Sequence, residues 1–147
     1  MGQLLSDVEI IRASTAVAAS QTNTTGNMVD TKGYDGAMFI LGMGAATATS
    51  VITLYAKGAA STSSTAAVTY SVNATVTETT ANIADGTNLV LDIYKPRHRY
   101  LWPHYSIATA NAAIDGCTAL LYGAAVKPTT QPASVASSTY ATAPTTS

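Results

Sequence analysis

Apolar and polar positions alternate along much of this chain with a period of two. In Ser50 to Lys57 one face collects Ile52, Leu54 and Ala56, and the other Val51, Thr53, Tyr55 and Lys57. Val68, Tyr70 and Val72 alternate with Thr69 and Ser71, and Leu89, Leu91 and Ile93 with Val90, Asp92 and Tyr94. A period of two in segments rich in β-branched and aromatic residues is the mark of a half-buried strand. Ala37–Met43 and Thr118–Val126 are more uniformly apolar, as central strands covered on both faces would be.

Turn chemistry punctuates these runs. Asp35-Gly36, Asp85-Gly86 and Asp115-Gly116 are dipeptides that accept the positive φ angles of tight hairpins, and Gly26-Asn27, Lys57-Gly58 and Lys95-Pro96 supply further breaks. The pattern predicts about eight strands, at roughly 7–12, 27–31, 36–43, 49–57, 66–72, 88–94, 99–109 and 117–126. Many short strands with regular turn signals predict an all-β fold, a single β-sandwich, and eight of them suit a jelly roll. Ser6-Asp7-Val8-Glu9 has the spacing of a helix capping box. The β-branched Val8, Ile10, Ile11, Thr15 and Val17 that follow favour a strand there instead.

The pattern stops at Val126. Residues 127–147 contain Pro128, Pro132 and Pro144 among many Ser and Thr, with only Val135 and Tyr140 as large side chains. Such a stretch buries too little apolar surface to offset the entropy of ordering it alone. The chain therefore divides into a body at 1–126 and an arm at 127–147, disordered in isolation or extended along a partner, with Val135 and Tyr140 as its anchors.

Composition narrows the function. Ala, Thr and Ser make up 64 of the 147 residues, only 10% are charged, and the net charge is −1. Seven Lys and Arg side chains are too few for the many phosphate contacts that nucleic-acid binding requires. No apolar run approaches the ~18 residues of a membrane-spanning helix, and Met1–Asp7 lacks the basic start and apolar stretch of a signal peptide. The single Cys117 forms no internal disulfide and implies no oxidising compartment.

Candidate chemistry is sparse. His98 and His104, with Asp92 and Asp115 as possible orienters, are the available bases, and Pro103 is expected to break the strand ladder between them. No third residue completes metal-ligand spacing, and no nucleophile elbow is present. Cys117, in an apolar strand pattern beside Leu120 and Leu121, reads as a small buried hydrophobe. Neither catalytic residues, a metal nor a cofactor is expected.

One segment gathers what the rest of the chain lacks. Asp92 to Tyr105 holds three of the seven cations, the only Trp, both His and three of the eight Tyr. It reads as strand, turn at Lys95-Pro96-Arg97-His98, then strand. A solvated turn before a core strand is the plain reading, and a nucleic-acid surface lacks a wider basic field. Trp, Tyr and Arg are the usual anchors of protein interfaces. That enrichment selects Lys95, Arg97, Arg99, Tyr100, Trp102 and Tyr105, together with Val135 and Tyr140 of the arm, as interface residues, with the two arginines free to pair with carboxylates of another chain.

The succession Val29-Asp30-Thr31-Lys32-Gly33-Tyr34-Asp35-Gly36, an apolar strand, then Asp92-Ile93-Tyr94-Lys95-Pro96-Arg97-His98-Arg99-Tyr100 resembles small head proteins of tailed bacteriophages. So does Ala108-Thr109-Ala110-Asn111-Ala112-Ala113-Ile114-Asp115-Gly116 before its Leu-Leu-Tyr-Gly strand. Over roughly residues 7–132 the chain is similar to capsid decoration, or cement, proteins. The resemblance implies a β-sandwich or jelly-roll body and assembly as a dimer or trimer on the outer surface of the virion. There it would bind the major capsid protein and reinforce joints between capsomers. A surface of Ala, Thr and Ser loses little side-chain entropy on docking and has few charges to desolvate. The competing expectation is a carbohydrate-binding or adhesive sandwich of a tail or surface fibre, with Tyr side chains and Trp102 stacking on sugar rings.

Overall fold

A computed structural model of the chain describes residues 4–127 and 129–138. A single helical turn, α1 (Leu4–Asp7), precedes ten strands. They are β1 (Glu9–Ser14), β2 (Val17–Ser20), β3 (Asn23–Thr25), β4 (Val29–Asp30), β5 (Gly36–Ala46), β6 (Val51–Ala59), β7 (Val68–Thr77), β8 (Asn88–Tyr94), β9 (Tyr100–Ala108) and β10 (Ala112–Tyr122). A 3-10 turn at Ser64–Ala66 lies between β6 and β7.

The strands build two antiparallel sheets packed face to face. In the first, β10 and β5 are central, β8 forms one edge, and β1 and β2 lie end to end along the other side of β10. In the second, β9 and β6 are central, β7 forms one edge, and β3 and β4 lie end to end along β9. Counting each end-to-end pair as one lane leaves eight lanes in chain order. They run 1-8-3-6 in one sheet and 2-7-4-5 in the other, the strand order of a jelly roll. The fold is the all-β sandwich that the alternating pattern predicts.

The core lies between the sheets. β5 contributes Phe39, Leu41 and Met43, β6 contributes Ile52 and Leu54, β9 contributes Leu101, Tyr105 and Ile107, and β10 contributes Ile114, Cys117 and Leu121. Ala13, Ala37, Ala56, Ala112 and Ala119 are buried among them, so small side chains fill inward positions that larger ones hold in most sandwiches. The uniformly apolar segments do form central strands, although β10 ends at Tyr122 and residues 123–126 lie beyond it. The outward residues Met38, Ile40 and Leu120 of these strands are only partly covered, because nothing packs on the outer face of that sheet among the described residues.

The strand favoured after the capping-box residues is present: Ser6 and Asp7 end α1, and Glu9 opens β1. Several other expectations need correction. Of the three Asp-Gly pairs only Asp85-Gly86 sits in a turn, with Gly86 at φ +77°. Gly36 begins β5, and Gly116 (φ +133°) lies inside β10 where the register with β5 shifts, a bulge rather than a hairpin. Gly58 is not a break but part of β6, kept side-chain-free because a Cβ there would press on Tyr70 and His98 at about 3 Å. β2 and β3 fall where no strand is expected, and β10 starts five residues earlier than the pattern suggests.

Pro103 does not interrupt the ladder as expected either. β9 pairs with β6 without a break from Tyr100 to Ala108, with Ala56 opposite Pro103. The carbonyl of Pro103 accepts from the Gly26 amide at 2.7 Å, so its missing N–H faces that same side, where the lane is split between β3 and β4. A proline is tolerated in a central strand when its absent donor meets a gap in the neighbour.

Candidate functional site

The aromatic and basic segment is the connection between the two sheets at one corner of the sandwich. β8 ends at Tyr94, residues 95–99 cross over, and β9 begins at Tyr100. Lys95 takes a left-handed φ of +48°, and its amide donates to the Asp35 carbonyl at 2.7 Å. That bond ties the crossover to the chain entering β5. On its other flank Tyr70 of β7 holds the loop: its hydroxyl accepts from the His98 amide at 3.2 Å and lies 3.1 Å from His98 Nδ1.

This geometry sorts the predicted interface residues into different roles. Lys95 and Arg97 are exposed. Lys95 Nζ sits 5.3 Å from the Tyr94 ring centroid, and Arg97 has no ion-pair or hydrogen-bond partner among the described residues. Arg99 is exposed but already engaged: its Nε and Nη2 donate to the two carboxylate oxygens of Asp30, both at 2.9 Å. That bidentate pair holds the Asp30 carboxyl below its ordinary pKa, and the guanidinium stacks 4.9 Å from the half-buried Tyr100 ring. The expectation that Arg99 pairs with another chain is therefore corrected; its partner is in its own β4.

Trp102 and Tyr105 are not surface residues. Tyr105 is 0% exposed and points into the core, its hydroxyl 3.3 Å from Ser14 Oγ. Trp102, on the opposite face of β9, is 6% exposed, which leaves no open ring for a sugar to stack on. Val135 is half-buried in a turn where its amide donates to the Pro132 carbonyl at 2.9 Å. Tyr140 lies outside the described residues.

Two shallow grooves flank the crossover. One, of about 410 Å³, runs between the loop and residues 31–35, where Lys32 and Asp35 bring mixed charge. The other, of about 440 Å³, opens between β7 and β8. Val68 and Val72 form one wall, Tyr94, Pro96 and the cations Lys95 and Arg97 the other, and no carboxylate lines it. Val68, Val72 and Tyr94 are 57%, 52% and 62% exposed. Sequence reading missed the two valines as surface residues, because alternation assigns them to the inward face of β7. They do face inward, but at this edge the opposite sheet does not reach over them.

Elsewhere the titratable groups are structural. His104 is buried, shares a 2.6 Å hydrogen bond with Thr25 Oγ1, and lies against the Tyr55 ring. Burial first, and the Lys57 ammonium second, hold its pKa below the ordinary 6.5. His98 is in the crossover, so the two histidines serve different neighbourhoods. Burial pushes the Cys117 thiol up to about 12, where little reactive thiolate forms. Glu78 is fully buried and accepts from the amides of Ile83 and Ala84 at 2.8 and 3.0 Å, organising the loop between β7 and β8. Among the described residues no three His, Cys, Asp or Glu side chains converge as metal ligands would, and no helix is long and apolar enough to cross a membrane.

What the corner offers chemically is a binding surface: apolar side chains exposed in a groove, rimmed by cations, beside a sheet edge. No protein-family model matches the chain, and no curated protein matches it.

Proposed function

We propose that this chain is a non-enzymatic structural protein of a tailed-phage virion, bound to the outer surface of the capsid and stabilising it by bridging major capsid subunits. The observation that carries this reading is the corner at Tyr94–Arg97, where exposed Tyr94, Val68 and Val72 lie beside two cations with no acidic neighbour in the groove. Clustered apolar exposure next to uncompensated charge suits a surface that a protein partner covers. The low charge of the whole chain supports it, because docking such a surface desolvates few ions.

Assembly as a dimer or trimer belongs to the same proposal. The outer face of the β8–β5–β10–β1 sheet supports it, since Ile10, Leu120, Met38 and Ile40 lie on adjoining cross-strand positions and Val90 beside them is 50% exposed. The test is the heat stability of particles assembled with and without the protein. The reading expects DNA release at a distinctly higher temperature when the protein is bound; equal release temperatures contradict it.

A further inference from the structure

We infer that the free edge of β7, with the groove beside it, takes up an extended acidic segment of the partner protein as an added strand. This rests on the reading of the Tyr94–Arg97 corner as an interface, and it names what that interface binds.

The extended conformation follows from the edge. β7 is ten residues long, Val-Thr-Tyr-Ser-Val-Asn-Ala-Thr-Val-Thr, and pairs only with β6. No backbone hydrogen bond among the described residues reaches its other side. It has no Lys, no other charge and no Pro to blunt it, although its register with β6 shifts between Thr69 and Asn73. Such an edge is a template for strand addition, in which the main chain supplies affinity and alternate side chains enter pockets. The pocket is present: the groove beside Val68–Val72 is lined by Val68, Val72, Tyr94 and Pro96 and offers apolar surface to the side chains of an added strand.

The charge of the occupant follows from the cations. Lys95 and Arg97 rim the groove, and neither pairs with a carboxylate of the described chain. A segment bearing Asp or Glu near its end at the crossover satisfies both. This chain has no such segment to offer a second copy. Asp7, Asp30, Glu9, Asp92 and Glu78 are engaged with Lys127, Arg99, Tyr34, Tyr122 and backbone amides. Asp35 immediately precedes β5, Asp85 sits in a turn and Asp115 lies within β10, and residues 127–147 contain no Asp or Glu at all. The occupant is therefore a different protein.

The experiment pans the full-length chain, immobilised, against a random displayed-peptide library, and remakes the enriched peptides synthetically. The inference expects sequences that alternate apolar and polar residues and carry at least one Asp or Glu. Their binding should weaken with added salt and fall roughly tenfold or more in the double variant Lys95→Glu/Arg97→Glu, where attraction becomes repulsion. Val72→Glu, which removes an apolar wall and sets a like charge against the acidic segment, should weaken it as well. All three positions are exposed, and circular dichroism confirms that the variants fold. Enrichment of peptides without acids, no enrichment, or binding indifferent to these changes overturns the inference. So does a self-association of the chain that Val72→Glu abolishes, since the edge then belongs to a second copy. Particle stability separates the two levels. If Lys95→Glu/Arg97→Glu still stabilises particles as the natural chain does, this inference fails while the capsid reading stands. If the natural chain gives no stabilisation, the capsid reading itself fails.

Discussion

The two open sides of the sandwich meet the same hazard in opposite ways. On one side β1 ends the first sheet, and the chain covers it with its own C-terminal segment. Gln131 Nε2 donates to the Val8 carbonyl at 2.6 Å while its Oε1 accepts from the Ile10 amide at 2.9 Å. Ser134 Oγ accepts more weakly from the Arg12 amide at 3.5 Å. Thr129 is buried, and both its amide and its hydroxyl donate to the Ser6 carbonyl. On the other side β7 ends the second sheet, and no backbone hydrogen bond among the described residues reaches its outer side. The contrast shows why the covering is made of side chains. A strand paired through its backbone would only move the free edge outward by one lane, whereas an amide side chain satisfies β1 and presents no new ladder. The protein closes the β1 edge, and among the described residues it leaves bare the one beside Lys95 and Arg97.

The largest effect is expected on the open side, at the loop that crosses it. Glu78→Ala removes a buried carboxylate, strands the buried amide of Ala84 and leaves that of Ile83 only its 3.4 Å bond to the Thr80 carbonyl. Denaturant unfolding should show a loss of about 2–4 kcal/mol, since a buried donor left unpaired costs about 1–3 kcal/mol. A loss under ~1 kcal/mol would show that water replaces the carboxylate and that this loop does not depend on it.

Gln131→Ala tests the covered side. Freeing the β1 edge should cost about 1–2 kcal/mol, two partly exposed hydrogen bonds at their usual net worth. It should also raise the aggregation rate of the folded protein, read by light scattering. If the edge stays quiet without Gln131, side-chain capping is not what protects it.

His104 gives a pH signature. Its folded pKa lies below the unfolded 6.5, so the unfolded chain binds the extra proton first. The stability gained from a neutral His104 is present above about pH 6.5 and is lost as pH falls through the folded value. His104→Gln should flatten the stability profile below pH 6.5, and an unchanged slope would assign that slope to other groups. At the alkaline end, burial and the Glu9 carboxylate push the Tyr34 hydroxyl up to about 12. Stability present below pH 10 is therefore lost as pH rises towards 12, and Tyr34→Phe should reduce that loss. The smallest effect belongs to Arg99→Ala: the pair with Asp30 is close to half exposed on both sides, so solvent and salt already screen it.

Much of this architecture is written in side-chain periodicity. β5, β6, β8 and β9 lie close to where the pattern places them, the first three because each buries one clear face, and eight lanes agree with eight predicted segments. β2 and β3 escaped notice because residues 15–25 offer Val17 as their only large apolar side chain. Their conformation is imposed by the free bonds of β10 and β9, not by their own residues. The crossover was legible as strand, turn and strand, and its cations as surface. Which of its side chains remain available was not. Arg99 is claimed by Asp30 from 69 positions away, and Tyr105 is drawn into the core by the parity of β9. The valines of β7 are uncovered only because β8 and its loop diverge from them. Pairings and overlaps of that kind depend on how the two sheets are placed, which a pattern along one strand does not encode.

Amide hydrogen exchange on the protein free in solution and bound to phage particles tests the central claim most directly. The account predicts added protection at 68–72 and 94–98 on binding, with β1 unchanged because Gln131 and Ser134 already cover it. Protection that grows along β1 and the 129–135 segment, while β7 exchanges as fast as in the free protein, would contradict it.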